Sequence, residues 1–282
     1  MEIRSPAYWY RGARRGRFRR GGPARVGSVD GVTTDDVPTD ASLASYREDF
    51  SRFMLSYRFG VSEVLTKITI LREEYEHIHR YNPIEHLNSR IKTPQSIVAK
   101  ARRKGVDMTF DALRQHLRDI AGIRVICSFL PDVYTVRDAL CAQDDLTVLS
   151  ERDYIAEPKP NGYRSLHLIV EVPVFLSDRT ERVPVEVQLR TIAMDFWASL
   201  EHKIYYKYDG GVPDSLLHEL TAAASTAASL DTQMNDLHQQ IKAIAGAEPP
   251  STTGLDLLRD LPVPPEIIAA VVQAAAPPRP TD

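Results

Sequence analysis

The sequence predicts an α+β fold: a mixed β-sheet of about five strands flanked by helices, with a long C-terminal helix and disordered tails. Two observations predict it. Apolar residues recur at three- and four-residue steps before residue 80 and again after residue 190, which is the helical period. Between these segments lie short apolar runs that end at turn-forming residues, as strands do.

Two helices are predicted before the first strand that can be located. The first follows the apolar repeat over residues 61–78 and ends before Pro83, because the residue before a proline disfavours the helical conformation. In the second helix, Thr93 is a suitable N-cap, Pro94 fits the first helical position and Gly105 fits the C-terminal cap.

After these helices the pattern changes to that of strands. Four strands can be located, at residues 123–130, 146–155, 165–175 and 183–189. A helix over residues 133–142 separates the first two, and another over 191–208 follows the last. Pro173 and Pro184 indicate strand ends or a sheet edge, because proline cannot donate to a ladder. An apolar stripe over 217–244 predicts the C-terminal helix, which either packs on the core or makes an oligomer contact.

This pattern divides the chain into four segments. They are an arginine-rich arm and linker at 1–45, a domain at 46–210 that begins near Tyr46, a helical segment at 211–246 and a proline-rich tail at 247–282. The first 25 residues hold eight arginines and one acidic residue, although the whole chain has a net charge of −3. We expect this arm to be disordered, and it either contacts RNA or another phosphate-bearing partner or is a solvated tail without one.

The composition excludes several classes of protein. Hydrophobic residues make up 43% and charged residues 26%, as in an ordinary globular domain. Cys127 and Cys141 are too few for a disulfide framework, which favours a reducing compartment. No apolar run approaches the roughly 20 residues that span a bilayer, and the N-terminus lacks the apolar stretch of a secretory signal. We therefore expect a cytoplasmic protein with no membrane contact.

A basic surface is predicted around the second helix. The spacing of Lys92, Ser96, Lys100 and Arg103 puts all four on one face of this helix, and Arg90 precedes them. The helix N-terminus adds positive potential and free N–H groups. A polyphosphate would match this surface, and a solvated basic face is the alternative.

Three further segments hold candidate functional groups. Asp119 and Arg124 lie at the entrance of the strand at 123–130, where they pair with each other or with neighbours, or hold a metal and a phosphate or base. In the run 186–190, Glu, Gln and Arg alternate with apolar residues and so share one strand face, either a site wall or an ordinary solvent face. In the loop 157–167, Asn-Gly predicts a turn that leaves Tyr163 exposed among cations, where it stacks on a base or is structural.

Other chemistries are not indicated. The chain has no P-loop, no GxGxxG and no HExxH, and its eight histidines are scattered. A histidine-based metal centre is therefore not expected. No His-Asp dipeptide occurs, which removes the simplest sign of a phosphohydrolase of that class.

Taken together, these segments resemble the RelA/SpoT-type (p)ppGpp synthetases, specifically the small single-domain alarmone synthetases. The motifs occur in family order over about residues 50–240. The matching stretches are 89–92 with Ser96 and Lys100, 119–124, 151–155, 159–167, 186–191, and 196–208. The resemblance implies a nucleotidyltransferase-like synthetase fold and transfer of the β,γ-pyrophosphate of ATP to the 3′-hydroxyl of GTP, GDP or GMP. The products would be the alarmones pppGpp, ppGpp or pGpp of the stringent response, with no hydrolase domain.

The resemblance also implies roles for individual residues on the ATP side. Arg90 and Arg124 would hold the adenine between their planes. Asp119 and Glu186 would hold Mg²⁺, and Glu186 would also take the proton of the 3′-hydroxyl. The ATP-binding set as a whole is Arg90, Lys92, Ser96, Lys100, Arg103 and Arg124.

On the acceptor side, Tyr163 would stack on guanine. The set implied to bind GTP or GDP is Arg152, Lys159, Tyr163, His167 and Gln188. The resemblance favours a homotetramer. Asp195 departs from the family, whose members usually carry Asn at this position. The alternative function is that of a catalytically weak nucleotide- or RNA-binding regulator on the same fold.

Overall fold

The structure is a computed structural model that describes residues 40–79, 81–207 and 213–247. Most of the predicted arm and linker and the proline-rich tail therefore lie outside the described residues. The chain divides into two units, Met1–Arg47 and Glu48–Asp282. The strands and all helices after the first belong to the second unit.

Helices and strands alternate irregularly along the described residues. The helices are α1 (Asp40–His77), α2 (Pro94–Lys104), α3 (Phe110–His116), α4 (Leu130–Cys141), α5 (Ile192–Lys207) and α6 (Asp214–Ala247). The strands are β1 (Ile84–Ile91), β2 (Ala121–Cys127), β3 (Thr147–Asp153), β4 (Leu166–Phe175) and β5 (Thr180–Thr191). The predicted α+β fold, with about five strands and a long C-terminal helix, is confirmed.

The strands form one mixed sheet in the order β1-β2-β5-β4-β3. Strands β2 and β5 are parallel, and the other neighbours are antiparallel. Strands β4 and β5 extend together beyond their outer neighbours, and Pro173 and Pro184 lie on this extension. Because neither proline faces an outer partner strand, the predicted placement at a sheet edge is correct.

The core lies on one face of the sheet. Along β5, the side chains of Val183, Val185, Val187 and Leu189 alternate toward this core and are buried. Helix α1 approaches β5 closely at Gly60, where an added Cβ would lie 2.7 Å from Val183 Cγ1. From residue 186 to 190 the alternate residues of β5 are polar and occupy the opposite face, which leaves that part of the face for chemistry.

Two elements were not located in the sequence, and one boundary was wrong. Strand β1 has only three apolar residues among eight, because it is an edge strand with most side chains exposed. Helix α3 is only one or two turns long and buries Leu113 alone. Helix α1 begins at Asp40, well before residue 61, where the predicted helix starts. The caps of α2 are as predicted: Thr93 Oγ1 accepts from the amide of Ser96, and Gly105 has a φ of 65°.

Helix α6 packs against the rest of the domain along its first half, which is one of the two arrangements predicted for its apolar stripe, and leaves the stripe exposed along its second half. In the first half Leu220 and Ala224 are buried, and Trp197 Nε1 of α5 donates to the carbonyl of Leu220 at 2.9 Å. In the second half the stripe faces away from the sheet, with 47–72% of each side chain exposed, at Leu230, Met234, Leu237, Ile241 and Ile244. Among the described helices, none combines the length and apolar character that crossing a membrane requires.

Candidate active site

Two arginines lie as diagonal neighbours on the polar face of the sheet. In the β1–β2 ladder Arg90 pairs with Gly122, and Arg124 pairs with Asn88. The Arg90 side chain lies over Gly122, since an added Cβ there would be 3.5 Å from Arg90 Nε, an ordinary van der Waals distance. Arg124 Nη1 lies 3.0 Å from Asp195 Oδ1. The two guanidinium groups predicted to hold adenine are thus brought to one place.

The register continues this polar row across the sheet. Glu186 of β5 pairs with Gly122, and Gln188 pairs with Arg124. His167 of β4 pairs with Gln188, and Arg152 of β3 pairs with His167. The acidic residue of β5 therefore stands between the arginines of β1 and β2 and the residues of β3 and β4.

Asp119 lies just before β2 and is the acceptor for two lysines. Lys92 Nζ donates to Asp119 Oδ2 at 2.8 Å and to the Asp119 carbonyl at 2.7 Å. Lys100 Nζ donates to the same Oδ2. Burial by itself raises the pKa of Asp119, but the hydrogen bonds from Lys100 and Lys92 outweigh it and bring the pKa to about 2. Asp119 is therefore ionised at neutral pH.

Lys92 and Lys100 reach Asp119 from different elements. Lys92 precedes the N-cap Thr93 and is not part of α2, so the single helical face predicted for the basic residues is wrong for this one. Its amide extends the β1–β2 ladder by donating to the Ile120 carbonyl at 2.8 Å. Lys100 comes from the middle of α2. Ser96 lies in the first turn, and Arg103 is exposed in the last turn.

Asp119 and Glu186 have the donor atoms that a magnesium site needs. Asp119 Oδ1 is buried and has no hydrogen-bond partner among the described residues. Asp119 lies two residues before the start of β2, and Glu186 pairs with Gly122 of that strand, so the two carboxylates lie at the same end of β2. No group of three or more His, Cys, Asp or Glu residues in the described part of the chain is arranged to hold a metal. Two carboxylates fit Mg²⁺, which in proteins takes one or two of them and completes its coordination with substrate phosphates and water.

Glu186 receives a hydrogen-bond donor on each oxygen. Gln188 Nε2 donates to Oε2 at 3.0 Å, and His167 Nδ1 lies 3.4 Å from Oε1. Burial raises the pKa of Glu186, but the interactions with His167 and Gln188 outweigh it, so that the pKa falls below its ordinary value. The carboxylate is thereby kept charged and fixed in orientation.

The loop after β3 forms a second cluster beside Glu186. The amide of Gly162 donates to the Lys159 carbonyl at 2.8 Å, and Gly162 has a φ of 85°, so the predicted Asn-Gly turn is present. Lys159 Nζ lies 4.5 Å from the ring centre of Tyr154 and 4.6 Å from that of Tyr163. Arg152 is exposed beside it and donates to the Tyr154 hydroxyl at 3.4 Å.

Tyr163 is less exposed than the sequence predicts. Its ring is half-buried against the small cluster that joins α5 to α6, which includes Trp197 and Ala224. Its hydroxyl lies 2.7 Å from His167 Nε2. The long C-terminal helix therefore supports the tyrosine that the sequence analysis places on guanine, a contact that no pattern in the sequence indicates.

Arg190 is the functional residue that the sequence analysis left without a role. Its guanidinium is 4% exposed and contacts Asp195, Tyr163, Gln188 and Ser165. The alternation along 186–190 indicates the correct face of β5. It gives no sign that α5 closes over this end of the strand and buries the charge.

Comparison with known proteins agrees with this architecture. The sequence model of a region found in RelA / SpoT proteins matches residues 89–211. The chain is 49% identical over 199 residues to the GTP pyrophosphokinase YwaC of Bacillus subtilis (strain 168), covering 71% of this chain and 95% of that protein.

Two solved structures are also similar. The small alarmone synthetase 2 from Bacillus subtilis matches with a TM-score of 0.63 and 48% identity, over 68% of this chain and 99% of that one. The small alarmone synthetase 1 from the same organism, bound to its product pppGpp, matches with a TM-score of 0.65 and 38% identity, over 69% and 99%. The fold is that of the small alarmone synthetases. The chain belongs to the RelA/SpoT family.

Proposed function

We propose that this protein is a GTP pyrophosphokinase that transfers the β,γ-pyrophosphoryl group of ATP to the 3′-hydroxyl of GTP, GDP or GMP. The acceptor oxygen forms a bond to the β-phosphorus of ATP, the bond from that phosphorus to the α,β-bridging oxygen breaks, and AMP leaves. The proton of the hydroxyl passes to Glu186. The products are pppGpp, ppGpp or pGpp, the alarmones of the stringent response.

One observation carries the proposal beyond family membership. The β1-β2-β5-β4-β3 order puts Glu186 between a cationic half of the sheet and an aromatic half. Two nucleotides that bind one on each half meet at this carboxylate. Phosphoryl transfer depends mainly on such positioning and on charge neutralisation.

On the donor side, Arg90 and Arg124 are suited to hold the adenine ring between their guanidinium planes, which stack well on aromatic faces. The triphosphate then lies along α2, where its N-terminus offers free N–H groups to anions. The residues proposed to bind the phosphates are Lys92, Ser96, Lys100 and Arg103. Lys92 and Lys100 are already desolvated at Asp119, so they are close to where the phosphates would arrive.

On the acceptor side, Tyr163 is proposed to offer one ring face to guanine. Lys159 and Arg152 are exposed cations beside it and would pair with the 5′-phosphates. His167 and Gln188 hold Glu186 toward the 3′-hydroxyl. This assignment uses every acceptor residue in the set suggested by the sequence.

Asp119 and Glu186 are the proposed ligands of a Mg²⁺ ion, which would neutralise the charge that develops on the transferred phosphates. The ionised state of both carboxylates supports this role. Because its pKa is below the ordinary value, Glu186 is a weak base and needs the fixed orientation given by His167 and Gln188 to accept a proton.

We also propose a cytoplasmic enzyme that assembles as a homotetramer through the exposed half of α6. The support is the apolar stripe from Leu230 to Ile244, which repeats at alternating four- and three-residue steps as in a helix–helix seam. The arginine-rich arm is proposed to contact RNA through phosphate pairing.

The test is a thin-layer assay with labelled ATP, Mg²⁺ and each of GTP, GDP and GMP, with and without RNA. Wild-type protein should form a labelled 3′-pyrophosphorylated product, and Glu186→Gln should lose nearly all turnover while it still binds a fluorescent ATP analogue. Glu171→Gln is the matched control. Glu171 is a half-buried carboxylate on the same face of β4 as His167, and its variant should keep wild-type rates. Absence of product from the wild type, together with tight RNA binding, would instead support a regulator on the same fold.

A further inference from the structure

Arg190 lies at the centre of a buried hydrogen-bond network that reaches both nucleotide sides of the sheet. Its Nη1 lies 3.2 Å from Asp195 Oδ1, and its Nη2 lies 2.6 Å from the Tyr163 hydroxyl and 2.9 Å from Gln188 Oε1. Its Nε donates to Ser165 Oγ at 3.3 Å. A guanidinium group can only donate hydrogen bonds, so each of these partners is forced to act as an acceptor.

That constraint sets the direction of the hydrogen bonds beyond Arg190. Gln188 presents its carbonyl oxygen to Arg190, so its amide nitrogen is turned to Glu186 Oε2, 3.0 Å away. The Tyr163 oxygen accepts from Arg190, and its own hydrogen is left for His167 Nε2, 2.7 Å away. A neutral imidazole that accepts at Nε2 carries its hydrogen on Nδ1. That nitrogen faces Glu186 Oε1 at 3.4 Å.

Both donors that hold Glu186 therefore take their orientation from one buried guanidinium. Without Arg190, the Gln188 carbonyl oxygen loses its donor, and only the Glu186 carboxylate is left to orient the amide. The Tyr163 hydroxyl would likewise be able to accept from His167 Nε2. The hydrogen of the neutral imidazole would then lie on Nε2 instead of Nδ1, and Glu186 Oε1 would lose that donor.

We propose that Arg190 is a positioning residue that fixes the tautomer of His167 and the amide orientation of Gln188, and so aims Glu186 at the acceptor hydroxyl. The inference rests on the proposed function, since Glu186 is the proton acceptor there. Arg190 itself touches no reacting atom.

The other end of the network joins the same residue to the ATP side. Asp195 Oδ1 accepts from both Arg190 and Arg124, at 3.2 Å and 3.0 Å. The carboxylate fixes the Arg124 guanidinium, one of the two groups proposed to hold adenine. The network thus connects the adenine-binding arginine to the residues that orient Glu186, through contacts that are buried or half-buried throughout.

The decisive measurement is the tautomer of His167 in the protein without nucleotides, by two-bond ¹H–¹⁵N correlation spectra of histidine-labelled protein. His167→Gln identifies the signal among the eight histidines. Wild type should show the hydrogen on Nδ1, and Arg190→Met should show it on Nε2 or in exchange. Arg182→Met, on an exposed arginine of the same strand, is the control and should leave the signal unchanged.

Kinetics give the second readout. Arg190→Met should lower kcat about a hundredfold with a change in the KM for the acceptor of less than about threefold, which is the pattern of a lost transition-state orientation. Arg190→Lys should recover part of kcat, because its ammonium group donates hydrogen bonds but lacks the planar guanidinium geometry that reaches all four acceptors. If Arg190→Met does not fold, Tyr163→Phe removes the hydroxyl between Arg190 and His167 and should produce the same change in tautomer.

The inference is overturned if the His167 signal is unchanged in Arg190→Met, even when the wild type is active. If Arg190→Met does not fold, an unchanged signal in Tyr163→Phe overturns it instead. Loss of the proposed function would be seen separately, as a wild type that makes no product while its His167 signal still depends on Arg190.

Discussion

Lys100 and Asp119 form an ion pair, and Lys92 donates to the same carboxylate oxygen. These residues are proposed to meet different parts of one metal–nucleotide complex, the lysines at the phosphates and Asp119 at the metal. In the nucleotide-free protein the two ammonium groups stand where a cation would approach Asp119. A metal ion without phosphates must therefore compete with both lysines for Oδ2.

The first prediction is that Lys100→Met strengthens metal binding by the nucleotide-free protein. Two unit charges about 4 Å apart interact by about 4 kcal/mol at an effective dielectric constant near 20. Partial exposure screens most of this, so removal of one lysine should tighten Mn²⁺ binding roughly tenfold, with Mn²⁺ as the paramagnetic substitute for Mg²⁺. Electron paramagnetic resonance titration measures free Mn²⁺ directly.

The same variant should bind a non-hydrolysable ATP analogue more weakly, because a phosphate-binding cation is lost. Lys104→Met is the matched control, since Lys104 is exposed in the last turn of the same helix. If Lys100→Met binds Mn²⁺ no more tightly than the control does, the lysines do not compete with a metal ion for Asp119.

The second prediction concerns the turn that carries Tyr163. Gly162 has a φ of 85°, and an added Cβ would lie 2.5 Å from Ala224 Cβ of α6. Gly162→Ala should lower the free energy of unfolding by about 2 kcal/mol or more, because strain in the left-handed region alone costs 1–2 kcal/mol and a steric contact is added. Urea unfolding measures the loss.

Gly105→Ala separates the two causes. Gly105 also has a positive φ, of 65°, but nothing lies within 4 Å of an added Cβ. It should show the backbone cost alone, and Gly162→Ala should be less damaging in an Ala224→Gly background. If the two glycine variants lose equal free energies of unfolding and Ala224→Gly has no effect, the Ala224 side chain of α6 makes no steric contact with residue 162.

The sequence was sufficient for the parts of the fold that rest on local physics. Strand β2 is apolar and buried apart from Arg124, and the caps of α2 are determined by Thr93 and Gly105 with their immediate neighbours. Strand β1 escaped detection because its identity as a strand comes from pairing with β2, whereas its own residues are mostly polar.

Contacts between distant segments account for what could not be predicted in the site. The meeting of Lys92, Lys100 and Asp119 depends on how α2 packs beside the start of β2, and no spacing encodes it. Burial of Arg190 depends on α5, which supplies Asp195. The sequence identified the correct strand faces, and the tertiary arrangement decided which polar groups on them become partners.

The third prediction tests the proposed assembly. Leu237 and Ile241 are 50% and 64% exposed at the centre of the α6 stripe. The double variant Leu237→Lys/Ile241→Lys should shift the protein from a tetramer to smaller species, because charged groups at a helix–helix seam are desolvated without partners. Light scattering after size-exclusion chromatography gives the mass.

Ala243→Lys places a lysine on another exposed side of α6 and should leave the mass unchanged. A tetrameric double variant would place the interface elsewhere, and a monomeric wild type would remove the homotetramer from the proposal.

The fourth prediction concerns a buried acid on α6. Asp231 is 8% exposed, and its Oδ2 accepts from Thr191 Oγ1 at 2.7 Å. Burial raises the pKa of Asp231 above its ordinary value, against the opposing effects of the Thr191 hydrogen bond and the charge of Arg164. A carboxyl whose folded pKa is raised destabilises the folded state once it is ionised, so this cost is absent below the unfolded pKa of about 3.9 and grows as the pH rises above it.

Asp231→Asn keeps an oxygen for Thr191 and removes the charge. It should therefore increase the free energy of unfolding by up to about 1 kcal/mol at pH 7, with the gain shrinking toward zero as the pH falls to 4. Urea unfolding at pH 4, 5, 6 and 7 measures the difference from wild type. Asp236→Asn, at an exposed position of the same helix, should show no such trend. A variant that is less stable at pH 7, or a difference that does not depend on pH, would mean that the charged form of Asp231 is the one that the fold prefers.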